Sequence, residues 1–177
     1  MGVYVVLFRG VGGATQLPTA PLRAALTEAG FEDVATYINS GNAVLRSARP
    51  RDETVEAIAK ICAERFGFAK AVYAIPREGW ARLIRNNPFE VEAGAGKFLH
   101  AAWLAETPEK QAVGALESLS VDGDGFAVVG DVAYLSTPRG FSKSRLAERF
   151  DKLIGVPNTA RNWNTVLKLM ELAERLG

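Results

Sequence analysis

The stretch Val34-Ala35-Thr36-Tyr37-Ile38-Asn39-Ser40-Gly41-Asn42-Ala43-Val44-Leu45 holds two short runs rich in β-branched and apolar residues on either side of a polar turn. Residues 34–38 and 43–45 read as strands, and the turn over 39–42 contains a glycine able to take positive φ. Two strands with no helix between them form a hairpin. Upstream, residues 3–8 form a compact apolar run that reads as a buried strand. From about Pro21, Leu22, Ala25, Leu26 and Ala29 recur at helical spacing until Gly30. Downstream, Val55, Ile58, Ala59, Cys62 and Phe66 mark one face of a helix over 52–66, which Gly67 ends. A strand over 71–75 and a short helix over 77–85 follow. The hairpin thus completes the order strand, helix, strand, strand, helix, strand, the split β-α-β pattern of ferredoxin-like folds.

The same order recurs beyond Asn87-Pro88-Phe89 and the linker bearing Gly94 and Gly96. Residues 98–104 read as a strand, 106–116 as a helix, and 125–129 with 132–136 as a hairpin around Gly130-Asp131. A helix over 142–153, a brief strand over 155–159 and a closing helix over 162–176 complete it. The expected fold is α+β: two tandem ferredoxin-like halves with antiparallel sheets, 1–90 and 91–177, the second carrying the terminal helix. Little residue identity links the two copies, so the duplication rests on element order. A single mixed sheet with irregular connections is the competing arrangement.

Composition supports a packed interior. Of 177 residues, 48% are hydrophobic and 23% charged, which excludes wholesale disorder. The formal net charge is +1. Residues 1–90 carry 11 basic against 9 acidic groups and residues 91–177 carry 10 against 11, so neither half is a polycation. Bulk attraction to nucleic acid or an anionic membrane is not expected, whereas a local patch can still hold an anion. The one cysteine, Cys62, falls on a helical core face and reads as a buried thiol. The first apolar run meets Arg9 too soon for a signal peptide or a membrane span. A cytoplasmic location is expected.

Five segments hold the residues able to do chemistry. Arg9-Gly10-Val11-Gly12-Gly13 follows a strand and precedes a helix, where backbone amides can cradle a phosphate. Its spacing matches neither the dinucleotide fingerprint nor the phosphate loop, and a tight turn of small residues is the plainer alternative. The turn with Ser40 and Asn42 either satisfies its own backbone or orients a polar ligand. No histidine or carboxylate stands close in sequence to activate Ser40. His100 is structural, or an acid–base group if a partner is positioned beside it. The segment from Arg139 to Lys152, with Lys143, Arg145 and Arg149 against Glu148 and Asp151, has a local net charge of +3. Ser142 or Ser144 can cap its helix, which makes it the strongest local anion site in the sequence; a solvated helix face is the alternative. In Asn158-Thr159-Ala160-Arg161-Asn162-Trp163-Asn164-Thr165, Thr159 or Asn162 can cap the last helix. Trp163 there anchors the core or stacks with Arg161 at a binding edge. One histidine and one distant cysteine make no metal-ligand set, and no cofactor motif is present.

At Arg9-Gly10, Thr36-Tyr37-Ile38-Asn39-Ser40-Gly41-Asn42, Asn87-Pro88-Phe89 and Arg161-Asn162-Trp163-Asn164-Thr165 the chain resembles a bacterial family, domain of unknown function 1697. The resemblance runs from Tyr4-Val5-Val6-Leu7 to Leu167-Lys168-Leu169. The family's opening motif reads Arg-Gly-Ile-Asn-Val-Gly-Gly; here it is shorter and lacks the asparagine. The resemblance implies duplicated ferredoxin-like α+β domains. It also implies a set of matched positions: Arg9, Gly10, Gly12, Gly13, Ser40, Gly41, Asn42, Lys97, His100, Ser142, Arg161, Asn162 and Trp163. It carries no established activity.

The leading expectation is binding of a phosphorylated small molecule or nucleotide in a groove between the halves, lined by several of these residues together with Lys143. One alternative is a structural or protein-interaction domain without catalysis. Another is association with nucleic acid. Neither hydrolytic triad nor paired catalytic carboxylates emerge from the spacing, so the sequence does not decide whether the protein is an enzyme.

Overall fold

The structure, a computed structural model, describes residues 1–38 and 41–177. The chain divides into two compact units: Met1–Arg82 with Lys168–Gly177, and Leu83–Leu167.

In the first unit, strand β1 (Gly2–Phe8) leads through a loop to helix α1 (Thr19–Glu28). Strands β2 (Glu32–Thr36) and β3 (Asn42–Ser47), helix α2 (Arg51–Phe66) and strand β4 (Val72–Pro76) follow, and then helix α3 (Arg77–Arg85), whose residues from Leu83 on belong to the second unit. The sheet order is β2-β3-β1-β4 with every neighbour antiparallel. β1 is central, with Tyr4 opposite both Leu45 and Pro76 and Val6 opposite both Ala43 and Ala74. A strand paired on both sides and buried reads as a continuous apolar run, which is the pattern of Val3 to Phe8. Val6, Phe8, Leu22, Leu26, Phe31, Ile58 and Cys62 form the core of this unit. The helical faces meet the sheet there because Leu22, Ala25 and Leu26 on α1, and Ile58 and Cys62 on α2, recur at three- and four-residue spacing. A hydroxyl pair is buried beside them: Ser47 Oγ and Thr54 Oγ1 are 2.9 Å apart, and Thr54 donates to the Arg49 carbonyl at 3.3 Å.

The second unit repeats the order with β5 (Leu99–Leu104), α4 (Lys110–Glu117), β6 (Gly125–Val129), β7 (Val132–Ser136), α5 (Arg145–Ile154) and β8 (Asn158–Asn162). Its sheet order, β6-β7-β5-β8, repeats that of the first, again with antiparallel neighbours. Ala102, Leu104, Leu116, Ala133, Leu135, Leu146, Phe150 and Ile154 make its core. Tyr134 is buried, donates its hydroxyl to the Leu83 carbonyl at 2.6 Å, and has its acidity pushed up to about 12 by burial. The chain closes with helix α6 (Trp163–Arg175), and the boundary between the units falls within it. The protein is therefore an α+β chain of two tandem ferredoxin-like halves, and the single mixed sheet is excluded. Among the described residues no helix is long and apolar enough to cross a membrane.

Several boundaries differ from the sequence reading for local reasons. β2 lies two residues earlier than 34–38 because Tyr37 already belongs to the turn: its amide donates to the Asn42 carbonyl at 3.1 Å. The register of β2 against β3 shifts between Glu32 and Ala35, where Asp33 takes φ +50, a β-bulge. α4 starts at Lys110 rather than at 106, since Pro108 disfavours helical geometry at the residue before it. α5 starts at Arg145, after a 3-10 turn over Phe141–Lys143. The last strand is Asn158–Asn162 rather than 155–159, because Gly155 ends α5 and Pro157 delays pairing until Asn158 meets Leu104.

Candidate functional site

Antiparallel pairing sets which loops share an end of the first sheet. β1 ends at Phe8 where β3 and β4 begin, so the loop over 9–18, the turn residues Tyr37, Ile38 and Gly41, and the loop over 67–71 lie together. Two backbone bonds fasten them: Phe8 N–H donates to the Gly41 carbonyl and Arg9 N–H to the Ala71 carbonyl, each at 3.0 Å. Gly41 takes φ +76, and a Cβ there would stand 2.6 Å from Val11 Cγ2 and 2.9 Å from Phe8 Cβ. Only glycine fits where the turn abuts the Arg9–Gly13 loop.

Gly10 is the second such position. With φ +68, it lies beneath the Lys70 side chain, and a Cβ would meet both Cδ and Nζ at 3.0 Å. The Lys70 ammonium thus lies over Gly10, whose chain neighbour is Arg9. Beyond it the loop closes on itself: Gly12 and Thr15 exchange backbone bonds at 2.7 and 2.9 Å, and Gln16 Nε2 donates to the Gly13 carbonyl at 2.8 Å. The Gly10 and Gly13 amides hold no partner among the described residues. These loops contain two cations, Arg9 and Lys70, and no carboxylate. α1 begins beside them with no side-chain cap and no acidic residue in its first turn. Ile38 takes φ +47, strained for a β-branched residue, and is half exposed.

Asn42 faces inward. It is 1% exposed, and its Nδ2 donates to the Tyr37 carbonyl at 3.1 Å, so it braces the hairpin. Ser40 and Asn39 lie outside the described residues.

The remaining candidates belong to the second unit. Asn162 caps α6, its Oδ1 accepting from Thr165 N–H at 3.0 Å, and Trp163 is buried behind it. Arg161 lies opposite Ala101 and donates through Nη1 to Thr159 Oγ1 at 2.8 Å and to the Ala160 carbonyl at 2.7 Å. Burial lowers its pKa to about 10, which leaves it cationic at neutral pH. His100 lies opposite Leu135 and Asn162, its ring 4.1 Å from that of Phe141. Its Nδ1 is buried without a hydrogen-bond partner among the described residues, and burial lowers its pKa to about 4, so the imidazole is neutral at pH 7. Lys97 Nζ lies 4.9 Å above the Phe98 ring. Ser142 and Lys143 are exposed on the 3-10 turn before α5.

Ser144, not Ser142, caps α5: its Oγ accepts from Ala147 N–H at 3.1 Å and donates to Asp124 Oδ2 at 2.6 Å. Arg139 pairs with Asp122 at 2.6 Å. Asp124 thus already supplies negative charge at this helix start, while Asp122 meets the Arg139 guanidinium.

Sequence reasoning missed Lys70. It lies 60 residues from Gly10, and the signal that could find it is topological: a split β-α-β order pairs β4 with β1, so the residues just before β4 adjoin those just after β1.

No curated protein matches the chain. The solved structure of conserved bacterial protein SP0830 from Streptococcus pneumoniae is similar to it with a TM-score of 0.76 and 23% identity, covering 97% of this chain and 98% of that one. The likeness is one of fold. A family model described as protein of unknown function (DUF1697) matches residues 1–134. The match includes the loop end around Gly10 and Gly41 and stops before the stretch from Arg161 to Thr165.

Proposed function

The chain belongs to the DUF1697 family, and from that premise we propose that it binds a phosphate-bearing small molecule, such as a nucleotide, at the glycine-loop end of its first unit. The observation that carries this reading is the placement of the Lys70 ammonium over Gly10 beside Arg9, in loops that contain no carboxylate. Left-handed and right-handed residues in alternation turn successive amides toward one side, a geometry suited to an anion. Gly10 takes the left-handed φ of +68, and its amide holds no partner among the described residues. The uncapped start of α1 adds partial positive charge. Arg9 supplies the planar donor and Lys70 the point charge. The second unit supports this reading less, because Asp124 and Asp122 already meet the cap and the guanidinium there.

The test is a thermal-shift and calorimetric titration with inorganic phosphate, adenosine 5′-monophosphate and a short oligonucleotide. A ligand that binds only the folded state raises the unfolding midpoint with concentration. Binding of the mononucleotide, lost in both Arg9→Ala and Lys70→Ala, is the expected result. Equal binding by wild type and both variants overturns the assignment of the site. A response to the oligonucleotide alone overturns the small-molecule reading in favour of nucleic acid.

A further inference from the structure

Tyr4 packs its ring into the core of the first unit yet leaves its hydroxyl unmatched. The residue is 9% exposed, and the hydroxyl has no hydrogen-bond partner among the described residues. A buried phenol normally finds one, as that of Tyr134 does. The hydroxyl end lies over Gly2, where a Cβ would stand 3.0 Å from Tyr4 Cε2 and 3.2 Å from its Oη. The glycine thus leaves the phenol end open, and both residues line a cavity of about 270 Å³ within the first unit. This cavity is at the opposite end of β1 from the glycine loop, about 20 Å along the strand.

Pro76 ends β4 opposite Tyr4, and Arg77 opens α3 directly after it. Val3, Pro76 and the Tyr4 ring give the cavity apolar walls, and Arg77 gives it a cation. Arg77 is half-buried and has neither an ion pair nor a hydrogen bond among the described residues. The acid beside it, Glu78, is already engaged, and in the first turn of α3 it offsets the partial positive charge of the helix start. At Gly177 on the same wall, Arg46 Nη2 stands 3.0 Å from where a Cβ would be. An unpaired guanidinium and an unmatched phenol thus share one space with apolar area. The geometry points to a second ligand site here, for a small organic acid: a carboxylate on an apolar body. The planar fork of Arg77 suits the two carboxylate oxygens, and Tyr4 O–H donates to one of them. The apolar walls take the body. A phosphomonoester fits less well, because one unpaired cation leaves its second charge unmatched. The site shares no residue with the glycine-loop end and stands independently of it.

The experiment is a titration of the full chain followed by ¹H–¹⁵N spectra, with benzoate as probe and benzamide as the uncharged probe of similar shape. Benzoate shifts the amides of Val3, Tyr4 and Glu78 and binds about tenfold more tightly than benzamide, the scale of one charge-assisted hydrogen bond. Tyr4→Phe keeps the ring and its packing, and lowers benzoate affinity about fivefold. Arg77→Gln brings the two probes to near parity while the spectrum stays dispersed. Lys70→Ala, at the other end of the sheet, leaves the preference unchanged. Equal affinity for the two probes in wild type overturns the proposal. So does a preference unchanged in both Tyr4→Phe and Arg77→Gln, or an absence of shifts at these amides. A preference lost in Lys70→Ala overturns it as well, by moving the carboxylate to the glycine-loop end.

Discussion

The Ser144 hydroxyl joins the carboxylate of Asp124 to the first turn of α5, donating to Asp124 Oδ2 at 2.6 Å while accepting from Ala147 N–H at 3.1 Å. One side chain thus fixes the helix start and the loop before β6. Ser144→Ala leaves the Ala147 amide and the Asp124 oxygen without this partner. The expected loss is about 1 kcal/mol in urea unfolding. Ser142→Ala, two residues away on the exposed 3-10 turn, leaves the midpoint near wild type.

Gly41 and Gly30 separate conformation from space. Both have positive φ, +76 and +87, yet a Cβ at Gly30 meets nothing within 4 Å while one at Gly41 strikes Val11 and Phe8. Gly30→Ala costs about 1 kcal/mol from backbone strain alone. Gly41→Ala adds overpacking and costs about 3 kcal/mol in total. Equilibrium denaturation of the two variants measures the difference directly.

His100 sets a pH dependence. Burial lowers its pKa from 6.5 to about 4, so the unfolded chain binds the proton more readily than the folded one. The stability it contributes is complete above pH 6.5 and is lost as pH falls through 6.5 toward 4. Across that window wild type loses more stability than His100→Gln, and unfolding curves at several pH values give the divergence. The ring's contact with Phe141 places the effect beside the turn before α5.

Cys62 is 0% exposed, and burial pushes its thiol pKa up to about 12. Reaction with a thiol reagent at neutral pH is therefore slow in the native protein and rises with urea in step with unfolding. A fast native reaction would contradict the packing of α2 against the sheet.

Legibility in the sequence followed the range of the forces involved. The hairpin over 125–129 and 132–136 and the helix over 77–85 agree with the structure residue for residue, because alternation and helical spacing are local. The 3.6-residue pattern that suggested a helix from 106 was overridden by Pro108, a single backbone constraint. Lys70 carried no local signal, since its meaning depends on β4 pairing with β1. The basic segment has partners that its local sequence does not show, for the same reason. Asp122 and Asp124, which oppose its charges, precede it by a whole hairpin. Asn162 was recognisable as a cap because its partner Thr165 is three residues on.

The bulge at Asp33 also governs what the molecule avoids. β2 is the outer strand of its sheet, and an outer strand is a template on which another chain can add. At Asp33 the strand loses register, and its carboxylate pairs with Arg46 Nε at 3.3 Å, next to exposed Glu32. An incoming strand would have to follow that kink and desolvate both acids. Removing Asp33 would straighten the rim and turn it into a surface for self-association, visible as concentration-dependent sedimentation. One displaced residue thus helps keep this margin of the sheet from joining molecule to molecule.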